Sequence, residues 1–168
     1  MTNQEPKFLF SIRAYKEISA ICPDHEIKNI SWILDGAGSQ TLGNLAKIAE
    51  ILNRAACKAY GGEPMNAAEF LALPPWTLRR VIEKARNEIM SGEQQEVRAR
   101  PKKTGAGHTT KPCYTWYVYH ALRLGAGWPN ALDMPIGLLR GLMACDQIAN
   151  DMATELFAMS HEEVMELD

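Results

Sequence analysis

Residues 41–60 read TLGNLAKIAEILNRAACKAY, and their spacing decides the fold class. Leu42, Leu45, Ile48, Ala49, Leu52, Ala56 and Cys57 recur at intervals that place them along one stripe of a helix. In a strand the same residues would scatter over both faces. Gly61-Gly62 follows, and glycine past the last periodic residue ends helices because it enters left-handed backbone without a steric cost. Such a helix would run about 30 Å, long enough to be the spine on which shorter helices pack.

Upstream, Phe8-Leu9-Phe10-Ser11-Ile12 is an apolar run too short for periodicity to choose between an edge strand and an extended segment docked on helices. Residues 14–22 read as a short helix stopped by Pro23, whose ring disfavours helical backbone in the residue before it. Asp24 suits an N-cap for a further helix, with Ile27, Ile30, Ile33 and Leu34 as its stripe, up to the break at Gly36-Ala37-Gly38-Ser39. Downstream, Asn66 and Glu69 have capping-box spacing for a short helix over 67–73, ahead of Pro74-Pro75. A helix over 77–90 puts Leu78, Ile82, Ala85 and Ile89 on one face. Arg79, Arg80, Lys84, Arg86 and Glu88 fall largely on others, and Gly92 ends it.

Charge divides the chain into three. Residues 1–97 carry 11 basic and 12 acidic groups, residues 98–112 five basic and no acidic, and residues 113–168 two basic and eight acidic. The middle stretch, RARPKKTGAGHTTKP, has no large apolar residue, so it reads as a basic, flexible linker. Beyond it, Tyr114 to Leu122 is aromatic and rich in strand-formers, yet no second alternating run offers it a partner, so a helix is expected. Trp128-Pro129 marks a turn. A helix from about Pro135 carries Leu138, Leu139, Leu142, Cys145, Ala149, Met152 and Leu156, and Ser160 with Glu163 opens a last short one. The expected fold is therefore all-α or mainly α: two small helical modules, 1–97 and 113–168, joined by the linker 98–112, with room for one short N-terminal strand.

Composition excludes several classes. At 46% hydrophobic and 23% charged, the chain can bury a core and is not disordered throughout. A net charge of −2 lacks the basic surplus that a phosphate backbone demands. The absence of a leader pattern and of any long apolar run predicts a cytoplasmic protein. Cys22, Cys57, Cys113 and Cys145 show no CxxC and no Cys/His metal spacing, so they read as buried thiols in a reducing compartment. His25, His108, His120 and His161 form no HExxH, and Asp24 with Glu26 or Glu162 with Glu163 reads as helix-start acids rather than an acid and base pair. Gly36-Ala37-Gly38 and Gly105-Ala106-Gly107 fail as phosphate-binding loops. No catalytic, cofactor-binding or metal-ligating residue is therefore assigned, and no cofactor is expected.

What remains suggests binding. Tyr114, Trp116, Tyr117, Tyr119 and Trp128 exceed what one inward stripe of a small module can hold, because consecutive helix positions point in different directions. Either all are packed inside the module, or some face another chain. With Leu138 and Leu142 of the next helix they are the candidate partner-binding residues.

The residues that carry a narrower likeness are FLFSIRAYKEISAICPDHEIKNISWILDG (8–36), ALPPWTLRRVIEKARNEIM (72–90) and WYVYHALRLGAGWPNALDMPIGLLRGLMACDQIAND (116–151). In this order they resemble the tail assembly chaperones of long-tailed phages and prophages of Gram-positive bacteria, in the long form whose downstream extension is often reached by a frameshift. The resemblance covers about four fifths of the chain. It implies a non-catalytic protein of the host cell cytoplasm, absent from the mature tail. By the same resemblance, the upstream module would coat the apolar-striped tape measure protein and the downstream module would recruit tail tube subunits, with self-association a further option. Two other readings stand beside it: a structural or connector component of the particle, and a small DNA-associated protein such as a terminase small subunit or regulator, in which Arg79, Arg80, Lys84 and Arg86 would face phosphates. The linker reading makes a prediction of its own. Limited proteolysis is expected to cut first within residues 98–112, and protection there equal to that of the helices would refute it.

Overall fold

One serine turns the apolar N-terminal run from extended to helical backbone. In a computed structural model that describes residues 5–22, 41–91, 99–101, 113–150 and 153–155, Ser11 is extended (φ −91°, ψ 169°) and its side chain accepts the Ala14 N–H at 3.2 Å, capping α1 (Ile12–Ile21). Cys22 is extended again just ahead of Pro23, so the helix stops where expected. It also begins two residues earlier than the apolar spacing suggests, because the Ser11 side chain caps it from Ile12 onward.

The segment before Ser11 is a strap rather than a sheet strand. The Leu9 N–H donates to Leu52 O (3.1 Å), the Phe10 N–H to Glu88 Oε1 (3.0 Å) and the Ile12 N–H to Met134 O (3.1 Å), while Phe10 O accepts the Ile136 N–H (3.0 Å). Ser11 and Pro135 form an isolated antiparallel bridge. Buried peptide groups need partners, and the strap finds its own in elements far apart along the chain.

The spine helix, α2 (Thr41–Tyr60), has the bounds its sequence predicts, and Gly61 (φ +79°) and Gly62 (φ +120°) end it in left-handed backbone. Its buried arc is broad: Leu45, Ala46, Ile48, Ala49, Ile51, Leu52 and Ala56 all face the core. Leu42, expected on that face, lies in the first turn and is 52% exposed. Asn53 is buried and fully employed. Its Nδ2 donates to Lys7 O and its Oδ1 accepts the Met65 N–H, each at 2.9 Å, so one amide locks the strap and the chain after α2 onto the spine.

Helix α3 (Ala67–Leu71) forms with both halves of the expected capping box: Glu69 N–H to Asn66 Oδ1 at 3.0 Å and Asn66 N–H to Glu69 Oε2 at 2.7 Å. Glu50 of α2 accepts the Ala67 N–H (3.1 Å), satisfying another donor at the helix start. Helix α4 (Pro75–Ser91) begins with proline in its first turn and buries Leu78, Val81, Ala85 and Ile89.

Next in the chain, β1 (Ala99–Pro101) pairs antiparallel with β2 (Ala153–Glu155), Arg100 opposite Thr154. Thus part of the expected linker is a short strand. Helix α5 (Tyr114–Arg123), a 3-10 turn (Asn130–Asp133) and α6 (Ile136–Ala149) follow. The expectation that α6 runs on to Leu156 is corrected. Asn150 caps it, its Nδ2 donating to Asp146 O (2.7 Å) and Oδ1 (3.0 Å), although the apolar spacing continues beyond. Local hydrogen bonding by asparagine overrides periodicity here. The helix expected before Gly36, the one expected from Ser160 and residues 102–112 of the linker lie outside the described residues.

The described residues are mainly helical, and their apolar side chains join into one core. Ile12 and Ile18 of α1 belong to the same buried cluster as Leu52, Phe70, Ile89, Tyr117, Ile136 and Leu139. Described residues on both sides of the expected linker 98–112 thus contribute to one buried cluster, and the linker's composition says nothing about whether the pieces it joins pack together. Arg13 and Lys58 both bind Asp133, at 3.0 and 2.5 Å, tying α1 and α2 to the turn before α6. Burial opposes ionisation of Asp133, but the hydrogen bonds from Lys58 and Arg13 outweigh it and hold the carboxyl below its ordinary range. Its contribution to stability is therefore present at neutral pH and fades as pH falls through that lowered value.

Replacing Asn53 with alanine orphans Lys7 O and the Met65 N–H together. A loss of about 2 kcal/mol in urea unfolding is expected, and a loss under about 0.5 kcal/mol would mean that the amide is not a lock.

Candidate functional site

Helix α5 carries aromatic residues at neighbouring positions, so they must part company. Tyr117 goes inward. It is 1% exposed, edge-on to Tyr15 (centroids 5.0 Å apart, planes 72°) and to Trp116 (5.2 Å), and its hydroxyl accepts from Arg140 Nη2 at 2.7 Å. This makes it a hub joining α1, α5 and α6 rather than a partner-binding residue, a correction to the sequence reading. Tyr114 and Trp116 are half-buried against the same core, and Lys16 Nζ lies 4.9 Å from the Tyr114 ring centre.

The other candidates face outward. Tyr119 is 58% and Trp128 64% exposed, and Leu138 (54%) and Leu142 (39%) share a face of α6 four residues apart. Two residues extend this surface beyond the sequence reading. Leu122 of α5 is exposed one turn from Tyr119, and Cys145 of α6, expected to be buried, is exposed one turn beyond Leu142. Cys113 is exposed as well, whereas Cys22 is buried and Cys57 half-buried. Burial pushes the Cys22 thiol up to about 11, so it stays protonated and unreactive at neutral pH. The signal for the outward stripe was present in α6, whose only charged residues are Arg140 and Asp146. A helix so sparsely charged, yet buried on one face only, presents apolar side chains to its surroundings.

His120 packs among these aromatics, its ring centre 4.4 Å from Trp116 and 5.1 Å from Tyr119. Burial lowers its pKa and Arg123 adds to that, with Asp146 opposing, so the ring is chiefly neutral at pH 7. Its role is packing within the aromatic row. His25, His108 and His161 lie outside the described residues. Among the described residues, no three His, Cys, Asp or Glu side chains gather to hold a metal ion. No helix among them is long and apolar enough to cross a membrane.

A second apolar surface lies on the other helices, where the spacing of the sequence does not mark it. Leu42 of α2, Leu71 and Leu73 at the end of α3, and Leu78 and Ile82 of α4 line a groove of about 540 Å³. Trp76, 76% exposed, stands in the first turn of α4 beside Pro75 at the groove's edge. The cations of α4 are largely engaged within the chain. Arg80 and Lys84 both bind Glu5 (3.3 and 2.5 Å), and Arg79 binds Glu83 (3.2 Å). A phosphate-facing stripe would have to break these pairs.

No protein-family model matches the chain, and neither a curated protein nor a solved structure matches it.

The two tyrosines of α5 are expected to separate cleanly in thermal or urea unfolding. Tyr117→Ala should cost about 3–5 kcal/mol as a core truncation, whereas Tyr119→Ala should stay within about 0.5 kcal/mol. Equal losses would place both in the core.

Proposed function

We propose that this chain is a non-catalytic binding protein and, on the likeness of residues 8–36, 72–90 and 116–151, a phage tail assembly chaperone. It holds the tape measure protein soluble in the host cytoplasm while tube subunits assemble, and it is absent from the finished tail. The observation that carries this reading is the exposure of Tyr119 on α5, Trp128 in the connection that follows, and Leu138 and Leu142 on α6, all on a well-packed scaffold. Exposed tyrosine and tryptophan side chains are frequent anchors of protein interfaces, and neighbouring exposed leucines add apolar area to such a site. A tape measure protein shows apolar helical faces until the tube covers them, and helix-on-helix packing can shield such faces without chemistry. Because described residues within 5–91 and 113–150 contribute to one buried cluster, coating the rod and recruiting tube subunits would be tasks of two faces of one body.

Co-expression tests the reading. With this chain present the tape measure protein should stay in the supernatant, and without it the protein should pellet. Tyr119→Ala combined with Leu138→Ser should keep the fold while reducing tube-subunit capture at least about tenfold. A tape measure protein equally soluble alone, or this chain present in mature tails at the level of a structural subunit, would overturn it.

A further inference from the structure

We draw no further inference here: the strongest candidate, the apolar groove that Leu42, Leu71, Leu78 and Ile82 line among the described residues of α2, α3 and α4, carries nothing, because its charged residues Arg79 and Glu83 pair with each other and nothing in the structure shows what covers it.

Discussion

The backbone of Phe10 is bonded in two directions, its N–H to the Glu88 carboxylate of α4 and its carbonyl to the Ile136 N–H that opens α6. Leu9 adds a bond to the spine helix and Ile12 one to the loop before α6. The rest of the fold depends on this strap, because among the described residues it is the segment bonded to α2, α4 and the start of α6 together. It cannot slide. A shift of one residue would orphan several peptide groups at about 1–3 kcal/mol each, and it would displace the buried Leu9, Phe10 and Ile12 side chains from their packing sites.

Around the strap, polar contacts position and apolar contacts stabilise. Asn53 pins the strap to the spine, while the Arg13, Lys58 and Asp133 group aligns α1 and α2 with the turn ahead of α6. These ion pairs are partly exposed and individually modest. The larger favourable contribution comes from side chains such as Ile18, Ile48, Leu52, Phe70 and Leu139, buried completely, each worth about 1.5–3 kcal/mol relative to exposure. Tyr117 combines both roles, filling the space between α1, α5 and α6 while Arg140 satisfies its hydroxyl.

A scaffold held in this way can leave apolar residues outside without losing its shape. Two such surfaces result: the α5–α6 face bearing Tyr119, Leu138 and Leu142, and the groove bounded by Leu42, Leu71 and Ile82. Under the proposed reading as a chaperone of a long helical rod, such an arrangement would suit the task. Rigid anchors lose little conformational entropy on binding, and on the proposed reading two faces of one body would let the rod and a second partner be engaged together.

Local structure was legible in residue spacing and capping chemistry. The bounds of α2, the Asn66–Glu69 capping box and the helical character of Tyr114–Arg123 follow from contacts within a few positions, which sequence order preserves. Whether the flanks of the basic stretch pack together was not legible, and neither was the partition of the aromatic row into a core Tyr117 and a surface Tyr119. The docking of Phe10 between α4 and α6 was equally hidden. Each of these depends on atoms brought together from distant parts of the chain, as with Phe10 and Glu88 or Tyr117 and Arg140. Periodicity says that a helix has an apolar face but not which neighbour covers it. Leu42 and Leu138 satisfy the same pattern as Leu45 and Leu139, and only packing decides that the first two meet solvent and the last two the core.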